Sequence, residues 1–190
     1  GMDSAAITDH GVMYGVIDFY KACRAEGIRP ILGCEVYVAP NSRFDKELTG
    51  GDDRYYHLVL LAENNTGYNN LTRIVSRGFT EGYYYKPRVD MELLQEFHEG
   101  IIALSACLAG EVQRYITKGL YDEAKKTALK YQACFGKGNY FLELQDHGLP
   151  EQKMVNTALL QMSKELDIPL VATNDVHYTY KEDVKPHDIL

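Results

Sequence analysis

A chain of 190 residues with 45% apolar side chains is long enough to bury one substantial core, and that length fits a single domain. Its 27 acidic side chains outnumber 20 basic ones for a formal charge of -7, so its surface as a whole cannot coat a polyanion. Contact with nucleic acid would need a local basic patch or bound cations.

In chain order, short apolar and β-branched runs at 5–8, 31–38, 57–62, 101–105, 140–144 and 169–173 read as buried strands. Helical patterns lie between them at 14–25, 69–78, 91–97, 121–135 and 151–166, several ending at a glycine and the last opening after Pro150. Alternation of strand and helix implies parallel strands joined by helical crossovers, in a doubly wound sheet or a closed barrel. About six strands is one or two short of a barrel. The segment 40–54, polar and containing Gly50-Gly51 and three aspartates, reads as a mobile rim loop.

Cys23, Cys34, Cys107 and Cys134 are widely spaced and form no CxxC pair, which argues against a zinc ribbon or a disulfide framework and fits a reducing cytosol. No run reaches the roughly 18 apolar residues of a membrane span, and GMDSAAITDHG has no basic-then-apolar leader. A soluble, cytoplasmic protein without a membrane partner is expected.

Parallel α/β folds carry their sites at the carboxyl ends of strands, and ligand-type residues collect there. Asp9 and His10 follow the first run, Glu35 sits late in the second, Cys107 follows IIALSA, and Asp175 with His177 follow PLVAT. His57 comes early in its strand and fits this pattern less well. Alone, each has an ordinary explanation: Asp9 and His10 as a helix cap and a surface histidine, Cys107 as a small core residue. Glu35 is harder to dismiss, because a carboxylate inside an apolar strand needs a cation or a donor. Four strands delivering such groups to one end outweigh the single-residue explanations.

Imidazole, carboxylate and one thiolate suit zinc, manganese or iron better than calcium, and several cations would be needed to absorb so many ligands. Such cations activate water and clamp a phosphoryl group, so phosphoester hydrolysis is the implied reaction. A nucleophilic Cys107 is the rival mechanism. In GYYYKPRVD, three tyrosines precede Lys86 and Arg88, the mix a single-strand surface uses, although a loop packing its tyrosines on the domain is the plainer reading. His98, His147 and His187 read as surface or capping residues.

The stretches AAITDHGVMYGVIDFYKACRAEGIRPILGCEVYVAP, YYHLVLLAENNTGYNNL, GYYYKPRVD, LSACLAGEV, LELQDHGLPEQ and VATNDVHY resemble the polymerase-and-histidinol-phosphatase (PHP) domain at the N-terminus of bacterial DNA polymerase III alpha subunits. The resemblance implies a distorted (β/α)7 TIM-like barrel with up to three divalent metals, Zn2+ or Mn2+, with Mg2+ or Fe2+ as further candidates. It assigns the metal ligands as His10, Glu35, His57, Cys107, Asp175 and His177. Asp9, His10 and Cys107 are the catalytic candidates, Asp9 in a supporting role.

The family's opening His-x-His strand has no counterpart here. The resemblance therefore implies an incomplete barrel, the fragment of a larger polymerase, holding fewer metals, weakly active or inactive, with exposed strand edges that invite dimerisation. The partners it implies are DNA, reached through the parent polymerase by way of Lys86 and Arg88, a proofreading subunit and the sliding clamp. The alternatives are a non-catalytic scaffold that docks the proofreading subunit and a free-standing PHP phosphatase.

Overall fold

The structure, a computed structural model, describes residues 1–47 and 54–189. β1 (Ser4–Ile7) leads through α1 (Val16–Ala25) to β2 (Arg29–Val38), and β3 (Tyr56–Ala62) is the next element among the described residues. Then come α2 (Asn65–Thr80), β4 (Arg88–Val89), α3 (Met91–Glu96), β5 (Ile101–Leu104), α4 (Glu111–Thr117), α5 (Tyr121–Phe135), β6 (Tyr140–Leu144), α6 (Pro150–Leu166), β7 (Leu170–Ala172) and α7 (Val184–Ile189). Among the described residues, no helix is long and apolar enough to cross a membrane.

The strands form one sheet in the order β1-β2-β3-β5-β6-β7, with the two-residue β4 paired to the end of β2. The expectation of parallel strands throughout is corrected at β3, which runs antiparallel to both β2 and β5. Among the described residues no crossover helix joins β2 to β3, and β3 starts at the end of the sheet at which β2 finishes. The expected incomplete barrel is an open sheet curled into a half-barrel. β1 and β7 stand at opposite ends of the strand order, yet His10 just after one and His177 just after the other approach to 3.4 Å between their Nε2 atoms.

Strand alternation divides the side chains of this sheet between two faces. Cys34, Val36, Val38, Leu58 and Leu60 join Leu71, Ile74, Leu142, Leu159 and Met162 in the main core under the helices. Val59 faces the other way, clustering with Leu104, Ala106 and the partly buried Leu61, Phe141 and Val171. Because Glu35 pairs with Val59 and Tyr37 with His57 across β2 and β3, these four side chains share the inner face.

Local chemistry sets the element ends. Asn64 caps α2 by accepting the Gly67 N–H at 3.0 Å, which starts that helix four residues before the expected 69. Gly67 must be glycine, since a Cβ there would lie 1.8 Å from the Gly100 carbonyl. The short α4 and α7 carry too few turns to show a helical period, and the sequence pattern did not anticipate them.

Part of the rim loop, 48–53, lies outside the described residues. Its first portion is not mobile but pinned. The buried Arg43 guanidinium donates to Asp90 at 2.8 Å and to Glu81 at 2.6 Å, and the Arg43 backbone N–H donates to the same Asp90 carboxylate at 2.8 Å. Asp90 also caps α3 through the Leu93 N–H at 3.0 Å. Replacing Asp90 with Ala removes a helix cap and leaves a buried guanidinium partly uncompensated, so urea unfolding should show a loss of about 3 kcal/mol. Asp90→Asn should lose less, and a loss below about 1 kcal/mol for Asp90→Ala would show that Glu81 alone suffices.

Candidate metal centre

The reversed β3 resolves the position of His57. A residue early in an antiparallel strand lies at the carboxyl end of its parallel neighbours, so His57 reaches the same mouth as the loops after β1, β5 and β7. There, His10, Glu35 and His57 present ligand atoms that all lie within 4.8 Å of one another, close to the span of ligand bonds of about 2 Å meeting at one ion. Cys107 Sγ stands 3.6 Å from His57 Nδ1, and Asp175 Oδ1 stands 3.7 Å from His177 Nδ1. The six residues therefore follow one another in contact, from Cys107 through His57, Glu35, His10 and His177 to Asp175.

Glu35 is 4% exposed, and both of its neighbours crowd one oxygen. His10 Nδ1 lies 3.3 Å from Oε1 and His57 Nδ1 is closer still, yet neither ring N–H is aligned to hydrogen-bond that atom. Burial pushes the Glu35 carboxyl up, but the two imidazoles outweigh it and hold the group at about 2. The Glu35 carboxylate in turn raises His10 against the opposing effect of burial.

The histidine hydrogens cannot satisfy every contact. His177 Nδ1 faces the Asp175 carbonyl at 2.8 Å, which can only accept, so the ring hydrogen is assigned there and Nε2 offers a lone pair. A neutral His10 has one ring hydrogen for two acceptors, Glu35 on one side and His177 Nε2 on the other. Whichever it serves, two lone pairs face each other at the remaining contact, and a proton or a cation must lie between them. The orphaned Glu35 Oε1 and this His10 contact both fit divalent metal.

Burial pushes the Cys107 thiol up to about 11, and the Glu35, Asp175 and Glu143 charges add to the effect against an opposing Ala109 N–H. A thiol so protonated is a poor nucleophile near neutral pH, which disfavours the covalent mechanism; a cation would instead stabilise its thiolate as a ligand. Asp9 stands outside the cluster, exposed, and contributes through its backbone carbonyl, which accepts the Glu35 N–H at 3.0 Å.

One expected nucleic-acid contact is corrected. Arg88 is 4% exposed and donates to the Gly82 carbonyl at 3.3 Å, the Arg43 carbonyl at 3.4 Å and the Asp45 carbonyl, so its charge tethers the rim loop rather than a strand. Lys86 remains exposed, its ammonium 5.6 Å from the Tyr37 ring, which stacks at 6.2 Å on His10. Tyr83 and Tyr85 are 55% and 59% exposed. Sequence reasoning missed Tyr55, stacked 6.1 Å from His57, and the His187 ring, 5.7 Å from His177. His147 is structural, with its Nε2 on the Asn174 carbonyl and its Nδ1 on Gln152 Nε2, both at 2.8 Å. Glu143 was also passed over, although a carboxylate inside the apolar run YFLEL is the same signal that exposed Glu35.

A curled, open α/β sheet with imidazole, carboxylate and thiol groups gathered at its mouth defines the class: the chain belongs to the PHP domain family, which matches residues 1–147. Within that family it is similar to the DNA polymerase III subunit alpha of Treponema pallidum, 53% identical over 190 residues, covering 100% of this chain and 16% of that protein. The DNA polymerase III subunit alpha of Deinococcus radiodurans is 50% identical over 188 residues, covering 97% and 14%. The chain thus spans about a sixth of the length of the curated relatives it matches.

Among solved structures, a candidate metal-dependent phosphoesterase from Bifidobacterium adolescentis superposes with a TM-score of 0.52 at 12% identity, covering 98% of this chain and 85% of that one. An amidohydrolase from Chromobacterium violaceum with bound sulfate gives 0.56 at 13% identity, covering 92% and 77%. These two likenesses establish the fold.

The two shifted groups predict a pH profile for the metal-stripped chain. The lowered Glu35 stabilises the fold above its ordinary 4.5 and loses that contribution as pH falls toward about 2. The raised His10 stabilises below its ordinary 6.5 and loses that contribution as pH rises through its elevated value. The difference in unfolding free energy between the chain and its Glu35→Gln variant, measured in EDTA, should therefore be greatest between about pH 4.5 and 6.5 and shrink on either side. A difference constant with pH would contradict this.

Proposed function

We propose that this chain is the PHP module of a bacterial replicative DNA polymerase alpha subunit, working in the cytoplasm, and that its mouth hydrolyses phosphodiesters at the 3′ end of a nucleic-acid strand. The meeting of His10, Glu35 and His57 around one orphaned carboxylate oxygen carries this reading. The similarity to polymerase alpha subunits supports the replicative setting, and DNA, a proofreading subunit and a sliding clamp are the partners proposed with it.

His10, Glu35, His57 and Cys107 would hold one divalent ion, and His177 with Asp175 would offer ligands to a second; zinc or manganese suits this donor set, with magnesium or iron as further candidates. When bound, such ions polarise a phosphoryl oxygen and lower the pKa of a water. The chain itself supplies orientation. Lys86 offers a cation beside Tyr37 for the phosphate that flanks the scissile bond, and exposed Tyr83 and Tyr85 offer ring faces on which bases stack. The chain carries a net charge of -7, so this patch and the bound cations would have to overcome general repulsion of the substrate.

Glu35→Gln keeps the side-chain shape and removes the central charge. Metal content by mass spectrometry and manganese-dependent release of nucleotides from a 5′-labelled single strand should both fall, the latter by about 100-fold. Lys86→Ala should leave metal content unchanged while weakening strand binding and reducing its salt slope by about one. A Glu35→Gln chain as active as the original would overturn the assignment, and an original chain that, within the whole polymerase and with manganese supplied, takes up no metal and releases no nucleotide would favour a scaffold instead.

A further inference from the structure

Glu143 lies on β6, 5% exposed, between the two strands whose ends deliver Cys107 and the Asp175/His177 pair. Its Oε2 accepts the Ala106 N–H at 3.0 Å, one residue before Cys107. Its Oε1 accepts the Thr173 hydroxyl, two residues before Asp175, and the Gln145 amide at 3.1 Å. One carboxylate therefore grips both loops at their roots.

What it grips is backbone that does not hold itself. Ala106 sits at φ 66 and Asp175 at φ 47, left-handed conformations that side-chain-bearing residues disfavour. The two peptides flanking the Ala106 Cα are both secured, the Ala106 N–H by Glu143 and the Ala106 carbonyl by Gln113 Nε2 at 3.0 Å. Gln113 also donates to Ser105 Oγ at 2.7 Å, and that hydroxyl accepts the Glu143 N–H at 2.8 Å, closing the network. The sharp turn so fixed is what brings Cys107 Sγ within 3.6 Å of His57.

Strand alignment does not require this arrangement. β5, β6 and β7 are already registered through their backbones, with Leu104 opposite Phe141 and Glu143 opposite Val171. An apolar residue at 143 would fill the space without burying a charge, so the carboxylate needs a reason beyond packing.

We infer that Glu143 is a positioning residue that holds the Cys107 turn and the Thr173–His177 segment in register with each other at the mouth of the sheet. The inference rests on Cys107, Asp175 and His177 acting as metal ligands. Shape is the active property: glutamine at 143 can accept the Ala106 N–H with its oxygen and donate to the Thr173 oxygen with its nitrogen, whereas alanine can do neither.

The test uses the full chain in two states. Loaded with cobalt(II), Glu143→Ala should lose the thiolate-to-cobalt charge-transfer band and bind the metal about tenfold more weakly, while Glu143→Gln retains most of both. Without metal, the rate of Cys107 alkylation should rise several-fold in Glu143→Ala and stay near the original in Glu143→Gln. Failure of the original chain to show the band, with Cys107→Ser as blank, would count against the ligand role of Cys107, and the metal-free alkylation rates would then judge Glu143 alone.

Equal behaviour of the Ala and Gln variants, or an Ala variant indistinguishable from the original, would overturn the inference. Should Glu143→Ala not fold, Thr173→Val decides. It should weaken cobalt binding about tenfold and keep the thiolate band, and unchanged affinity would overturn the inference.

Discussion

The buried oxygen of Glu35, faced by two imidazole nitrogens and aligned with no hydrogen, is the constraint around which the mouth of the sheet is arranged. Removing a carboxylate from water is unfavourable by several kcal/mol unless positive charge compensates. Here the compensation comes from His10 and His57, and those residues are in turn frustrated because His10 must also face His177. A cation at this point relieves both contacts at once. A proton on His10 relieves them as well, so metal and proton compete for the same place and affinity should rise with pH.

Bringing these groups together depends on one strand running backwards. Were β3 parallel to β2, His57 would lie at the far end of the sheet, and Glu35 would face Cys107 and His10 without its closest neighbour. The antiparallel β3 turns a strand's first residues toward the mouth and, through the pairing of Glu35 with Val59, places His57 diagonally beside Glu35 on the inner face. Curling of the sheet does the rest by carrying the loop after β7 round to the loop after β1. Beneath this mouth, Glu143 on β6, Gln113 on α4 and the hydroxyls of Ser105 and Thr173, one residue past β5 and β7 respectively, lock the turns that the backbone alone would not hold.

Much of this was legible in the residues, and the failures have physical causes. Six strands appear where apolar β-branched runs predict them, and burial explains that signature in β2, β3, β5 and β6, whereas β1 and β7 were read as buried but carry only partly exposed or exposed side chains. Strand direction has no such signature, which is why alternation with helices suggested an all-parallel sheet and made His57 look misplaced. Arg88 shows the complementary failure. A basic residue beside tyrosines reads as a surface contact, but its partners are backbone carbonyls at Gly82, Arg43 and Asp45, and composition does not register those. Glu35 was readable because a charge within an apolar strand needs a partner, and Glu143 carried the same mark.

The most direct test is a crystal structure of the chain grown with manganese, with anomalous scattering recorded at the metal edge. The account predicts a peak bonded to Glu35 Oε1 and to the imidazoles of His10 and His57, with ligand distances of about 2.0–2.2 Å. Full occupancy of manganese elsewhere, with Glu35 Oε1 bonded only to protein or water hydrogens, would contradict it.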